Sequence, residues 1–289
     1  MEVVSLGPKF AAELRGIDLF DVVTSDSAYR AVREAFEEHS VILFRNQEIT
    51  DDVQVAFSRA YGLLERTKIG SLCAGTFYVH VTNVAAEGAL VVETDRQALS
   101  NRANQLWHTD SSFKATPALA SVLSARTIPE NGGETEFFST RLAWERLSDE
   151  QRKELRDLVA VHSYATSRDQ IDPALMTPEE RAVLPPVRWR LLWRNPANAR
   201  AALYIASHAA VIEGMDDSRS RALLARLIDE ATQNAYVYAH RCRAGDVILW
   251  DNRATMHRGR PWPGTQPRLM VRTTISARDI DGLDQVRPN

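Results

Sequence analysis

The chain has 289 residues, 44% of them apolar and 25% charged, with a net charge of −3, a composition ordinary for a globular protein able to bury a sizeable core. That slight acidity argues against a general nucleic-acid binder, which carries a basic excess, and no apolar run approaches the roughly 20 residues needed to span a bilayer. Two cysteines outside any CxxC pair argue against a disulfide framework or zinc finger, and a start without a basic segment and apolar core is not that of a signal peptide, so a cytoplasmic location is expected.

Residues 28–38, AYRAVREAFEE, place Ala28, Val32, Ala35 and Phe36 at helical spacing, and 41–45, VILFR, reads as a short buried strand. Thr50 is set to cap a helix over DDVQVAFSRAYG, which Gly62 can end. Residues 66–103 show no clear period, and a long loop or substrate lid is expected there. ALASVLSAR (118–126) reads as a strand and ENGGETEFF (130–138) as a turn followed by one. SDEQRKELRDL (148–158) is a helix with Ser148 and Gln151 at capping-box positions. The strand LVAVHSYA precedes a polar insert at 166–188 with a Pro185-Pro186 break. LLWR, AALYIAS, YVYAHRC, DVILWDN and RLMVRTTIS follow as strands, interrupted by an amphipathic helix over about 217–232.

Many short strands, with helices mostly early, predict a mainly β fold with flanking helices, an antiparallel barrel or sandwich. No GxGxxG follows a strand and no GxxxxGK[ST] occurs, which disfavours a Rossmann fold or P-loop. Without repeats or a Gly/Ser linker, one domain over 1–289 is expected.

Within NQLWHTDSSF (104–113), His108 and Asp110 stand two apart. In extended chain both side chains point the same way. His257, in DNRATMHRGRPW just after an apolar strand, is the best third partner among the seven histidines. Two His and one carboxylate on one face of a metal leave three positions open, the arrangement of non-haem Fe(II) and O2 chemistry. A structural zinc site would close all four of its positions, and a zinc protease helix HExxH is lacking. Each fragment alone is weak, since an HxD pair is usually a surface turn or a core histidine. Arg268 lies 11 residues past His257, and Arg272 is four further on, the same side of a strand. Facing inward they need anions, which Arg grips bidentately; on an edge strand both would sit in solvent. The spacing alone leaves both readings open.

WHTD, GGETEF, WDNRATMHRGRPW and RLMVRTT occur in the order and approximate spacing of the taurine dioxygenase family of Fe(II)/2-oxoglutarate-dependent dioxygenases. The chain resembles that family over nearly its whole length, from ELRGIDL and SVILFRNQEIT to RTTIS. NQLWHTDSSF, WDNRATMHRG, HSYATSR, LPPVRW and HAAVIEGM look most like its 2,4-dichlorophenoxyacetate dioxygenase branch.

The resemblance implies a double-stranded β-helix, or jelly roll, with Fe(II) held by His108, Asp110 and His257 at one open end. Arg268, helped by the Thr135 hydroxyl, would hold the distal carboxylate of 2-oxoglutarate. Arg272 would pair with the anionic head of the substrate, Asn104 would line its pocket, and Lys68 would reach its carboxylate. Trp107 and Trp250 are assigned to packing. His162, His208 and His240 are structural, with His208 a candidate for the pocket rim. The implied reaction turns 2-oxoglutarate and O2 into succinate and CO2. It hydroxylates an aryloxyalkanoate beside its ether oxygen, releasing a phenol and a 2-oxoacid such as glyoxylate. A sulfonate, an alkyl sulfate, or an aryl or indolyl carboxylate would suit the same residues. A non-catalytic metal-binding jelly roll would leave Arg268 and Thr135 without a purpose. The expected partner is a small anionic organic substrate, with no nucleic acid or membrane, in a homo-oligomer.

Overall fold

A strand that is apolar at every position must be covered on both faces, and that requirement organises the fold. The computed structural model describes residues 1–7, 9–67, 73–92 and 94–288. Val41–Phe44 and Val247–Asp251 are buried at every position and pair antiparallel. Because side chains alternate, Val41, Leu43, Ile248 and Trp250 enter one core with Phe137 and Met270. Ile42, Phe44, Val247 and Leu249 enter another, with Leu19, Val32, Phe36, Phe57 and Tyr61 from the early helices.

These two strands sit inside a seven-stranded sheet. Its order is Glu2–Ser5, Ala11–Arg15, Val41–Phe44, Val247–Asp251, Ala118–Thr127, Leu269–Ser276 and Val79–Thr82. Pairing is antiparallel apart from the parallel contact of Ala11–Arg15 with Val41–Phe44. Facing it is a three-stranded sheet of Val237–His240, Thr135–Ser139 and Thr255–Gly259, whose Phe137 meets Trp250 edge-on at 5.6 Å. Phe138, the next residue, points the other way, into a core under the helix Asp217–Ala231. Two facing, mostly antiparallel sheets with helices outside make up the expected jelly roll.

Local signals explain the helices. Thr50 caps Asp51–Tyr61 by accepting from the Val53 N–H, and Ser148 with Gln151 forms the expected capping box on Asp149–Leu155. The structure corrects several details. Residues 66–103, expected as a long loop, contain the strand Val79–Thr82 and the helix Arg96–Ala103. The insert at 166–188 carries the short helix Pro178–Val183, whose Thr177–Glu180 capping box supplies the missing end groups. Thr255–Gly259, not anticipated as a strand, is one. The strand of Arg272 is not an edge: it runs between Ala118–Thr127 and Val79–Thr82. Among the described residues no helix is long and apolar enough to cross a membrane.

His162 closes the strand Val159–His162 with 0% exposure. Its ring stacks on Tyr204 at 5.7 Å, and neither ring nitrogen has a hydrogen-bond partner among the described residues. Burial pushes the imidazole down to about 3. The folded state therefore keeps it neutral, while the unfolded chain takes up a proton below about 6.5. The stability this neutrality represents is complete above that value and drains as pH falls toward 3. The loss runs at about 1.4 kcal/mol per pH unit. His162→Phe, which keeps the stacking, is expected to remove about 1.4 kcal/mol of the acid loss measured by urea unfolding at pH 7.5 and 5.5. An unchanged pH dependence would contradict the account.

Candidate functional site

The segment 104–108 runs alongside the strand Thr255–Gly259. Gly259 N–H donates to the Asn104 carbonyl at 2.9 Å, His108 N–H to the His257 carbonyl at 3.0 Å, and His257 N–H to the His108 carbonyl at 2.8 Å. The two histidines are thus fixed by each other's backbone, with ring centroids 4.2 Å apart. Asp110 is placed by a polar clamp. Its N–H donates to Asn252 Oδ1 at 3.1 Å. Its Oδ2 accepts from the Ser121 hydroxyl at 2.7 Å, which itself accepts from Asn252 Nδ2 at 3.0 Å. The Thr109 hydroxyl donates to the Asn252 carbonyl at 2.6 Å. Ser111 then turns the chain with φ 57°, a left-handed conformation uncommon outside glycine and asparagine.

One ligand atom from each of His108, Asp110 and His257 lies within 4.8 Å of the others, and all three residues are buried. His108 Nε2 stands 3.9 Å from Asp110 Oδ1, and His257 Nε2 stands 3.7 Å from Oδ2. The His108 Nδ1–H meets the Leu106 carbonyl at 2.7 Å, which leaves the Nε2 lone pair for a metal. Burial pushes both imidazoles below their ordinary values, so they stay neutral as metal ligands require. Burial alone would raise the Asp110 carboxyl. The Arg272 guanidinium, then His257, His108 and the Ser121 hydroxyl, outweigh it and hold the group well below the usual carboxylate range.

Beside this cluster is a cavity lined by Thr135, Trp250, His257, Trp262, Arg268 and Arg272, among others. Buried atoms without a hydrogen-bond partner among the described residues include Thr135 Oγ1, His257 Nδ1, Trp262 Nε1, Arg268 Nε and Arg272 Nε. All five residues line this one cavity. With Nε2 of His257 turned to the metal, every one of these atoms can donate a hydrogen bond. Arg268 is 4% exposed, lies over Trp262 at 4.9 Å, and has no acidic partner among the described residues. Burial lowers its guanidinium from the ordinary value. An oxygen-rich dianion matches that lining. The glycines of GGETEF let the backbone pass close to Pro261 and to the Arg268 side chain. Gly132 and Gly133 both have φ 73°, and a Cβ on Gly133 would press to 3.3 Å from Arg268 Nε.

The structure brings His108, Asp110, His257, Thr135, Arg268, Arg272 and Asn104 to one place. Lys68 lies outside the described residues. Arg272 has two directions: Nη1 donates to Asp110 Oδ1 at 2.7 Å, while the residue lines the cavity. Of the packing residues, Trp250 stands 4.6 Å from the His257 ring and Trp107 lies under Arg258. His208 is 6.2 Å from His108, between centroids. His240 is held between the Tyr238 hydroxyl and Asp246. Sequence reasoning missed Ser121, Asn252 and Trp262. Asn252 and Trp262 stand inside the quoted motif WDNRATMHRGRPW, while Ser121 interrupts an apolar strand with no other signal.

Residues 2–274 match the model of the taurine catabolism dioxygenase TauD, TfdA family. An alpha-ketoglutarate-dependent 2,4-dichlorophenoxyacetate dioxygenase of Cupriavidus pinatubonensis is 37% identical over 281 residues, covering 95% of this chain and 98% of that one. An (S)-phenoxypropionate/alpha-ketoglutarate dioxygenase of Delftia acidovorans is 30% identical, covering 96% of each. The crystal structure of AAD-2 in complex with Mn(II) and N-oxalylglycine superposes with a TM-score of 0.89 at 37% identity, covering 96% of this chain and 98% of that one.

Proposed function

The chain belongs to the TauD, TfdA family as an Fe(II)- and 2-oxoglutarate-dependent dioxygenase, and we propose that its substrate is an aryloxyalkanoate of the 2,4-dichlorophenoxyacetate kind, hydroxylated beside its ether oxygen. The substrate class is supported by the 37% and 30% identity to dioxygenases of 2,4-dichlorophenoxyacetate and (S)-phenoxypropionate, and the chemistry by the cavity of unpartnered buried donors next to a three-ligand cluster. That cavity suits a dianionic cosubstrate at a metal with open positions.

His108, Asp110 and His257 would hold the iron, and Asn252 with Ser121 would keep Asp110 aimed at it. Arg268, Thr135 and Trp262 would orient the cosubstrate by its far carboxylate. Bound there, iron and 2-oxoglutarate supply the oxidising chemistry that turns a C–H bond and O2 into C–OH, with succinate and CO2 as coproducts. Arg272 would take the substrate carboxylate, so that the α-carbon rather than the ring meets the metal. Val81, Leu123 and Trp250 line the same cavity and exclude water. Hydroxylation beside the ether oxygen gives a hemiacetal, which collapses to a phenol and a 2-oxoacid without a further catalytic group.

The test is succinate formation with Fe(II), ascorbate and 2-oxoglutarate across 2,4-dichlorophenoxyacetate, both 2-aryloxypropionate enantiomers, taurine and an alkyl sulfate. Succinate matched by phenol release is expected. Succinate with taurine or the sulfate alone would overturn the substrate class. Arg272→Ala is expected to lower kcat/KM by about 2–3 kcal/mol, the scale of a buried charged hydrogen bond. Because Arg272 also touches Asp110, Fe(II) affinity is measured in parallel. Full activity in the variant would refute the anchoring role.

A further inference from the structure

Near the metal cluster, one guanidinium has neither an acidic partner among the described residues nor a place in the cosubstrate cavity. Arg268 faces the cosubstrate cavity, and Arg272 is paired with Asp110. A third guanidinium, Arg168, belongs to the helix Tyr164–Asp169, which packs against Arg96–Ala103. It is 9% exposed, its Nε is buried without a partner, and no acidic side chain pairs with it among the described residues. Its guanidinium lies over the Tyr164 ring, 4.2 Å from Cζ to the ring centroid.

That ring belongs to an aromatic wall leading to the metal. Tyr164 lies 4.5 Å from Phe113, Phe113 lies 4.8 Å from His208, and His208 lies 6.2 Å from His108. The Tyr164 face is taken by the Arg168 guanidinium, and the Phe113 ring beside it is the aromatic surface that suits an aryl ring. His208 itself is engaged with the Ser112 hydroxyl at 3.0 Å. Behind the larger effect of burial, the Arg168 charge helps push the His208 imidazole down, consistent with this closeness. A desolvated guanidinium without a counter-ion is costly, and the geometry fits an anion delivered by a ligand.

We propose that Arg168 is a second anion-recognising residue of the substrate site, facing the far end of the aryl ring, and that the preferred substrates are aryloxyalkanoates carrying a second acidic group on that ring, a carboxylate or sulfonate. This inference rests on the aryloxyalkanoate reading above. The carboxylate of the side chain goes to Arg272, the ring lies along Phe113, and the ring substituent meets Arg168.

The experiment is calorimetric binding, without oxygen, to protein loaded with Mn(II) and 2-oxoglutarate. The ligands are phenoxyacetate, its 2-, 3- and 4-carboxy derivatives, and the matching neutral carboxamides. At least one ring acid is expected to bind about tenfold or more tightly than its carboxamide, the scale of a charge-assisted bidentate contact. In Arg168→Met that preference collapses toward unity, and in Arg168→Lys it is partly kept. The acid-to-amide comparison on the unaltered protein stands even if a variant fails to fold. Equal binding of acids and amides, or a preference that survives in Arg168→Met, overturns the proposal. Phenoxyacetate that binds here, and releases phenol in the aerobic Fe(II) assay above, while the ring acids gain nothing would sink this inference and leave the proposed function standing. Failure of every aryloxyacetate to bind would sink both.

Discussion

Replacing Arg268 with methionine is expected to weaken 2-oxoglutarate binding on the order of a hundredfold or more. Truncating one partner of a buried, hydrogen-bonded charge pair costs roughly 2–5 kcal/mol. The same substitution should not destabilise the protein without its cosubstrate, because Arg268 is buried with no acidic partner among the described residues. Methionine fills a similar volume and carries no charge to desolvate. The two measurements are cosubstrate affinity by calorimetry and the urea midpoint of the ligand-free protein. Loss of affinity with the midpoint held or raised is the expected pattern. A lowered midpoint with affinity intact would make Arg268 a structural residue and remove the cosubstrate from this cavity.

The second large effect lies behind the site. Arg253 is fully buried and donates to both Asp251 oxygens, at 2.9 and 3.0 Å, and to Glu37 at 2.8 Å. Burial alone would lower this guanidinium, but Asp251 and Glu37 outweigh it and raise it. Burial would raise Glu37, but Arg253 and Arg33 hold it below its ordinary value. Arg253→Met is expected to cost about 3–5 kcal/mol in urea unfolding, because it takes the shared cation from two buried carboxylates and leaves Glu37 with Arg33 and Asn195 and Asp251 with Arg141 at 3.9 Å. Adding Asp251→Asn to that variant should recover part of the loss. Non-additivity of that sign is the mark of a shared network; simple addition would mean that the residues act separately. Asp251 adjoins Asn252, the clamp on Asp110, so the single variant should also lose affinity for Fe(II).

The metal cluster was legible because its chemistry is compressed into short segments. His108 and Asp110 are neighbours in alternation, and His257 and the two arginines fall within one strand-turn-strand. The buried strands were legible because continuous apolar runs such as VILF need cover on both sides. Glu2–Ser5 was not, since as an edge strand with exposed residues at most positions it has no buried face to leave a pattern. Thr255–Gly259 reads TMHRG, with a histidine that lines the pocket and an arginine that pairs with Glu136 where strand residues would be apolar, so Met256 alone marks the core. Asn252 stayed hidden because it acts on Asp110 across 142 residues of chain, a relation no local window records, and Ser121, 11 residues from Asp110, because only the fold turns its hydroxyl toward that carboxylate. Arg168 was quoted in a motif yet given no role, since only the fold shows that its charge is buried.

The mutual backbone bridge of His108 and His257 also has a consequence for how the chain comes together. About half the polypeptide separates the two residues, and closing so long a loop is entropically slow. The cluster therefore cannot exist in a partly synthesised chain: His108 leaves the ribosome long before its partner strand does. Iron capture becomes a late event, gated by closure of the two sheets. A nascent chain halted before Thr255 would have two of the three ligands and an unpaired strand edge.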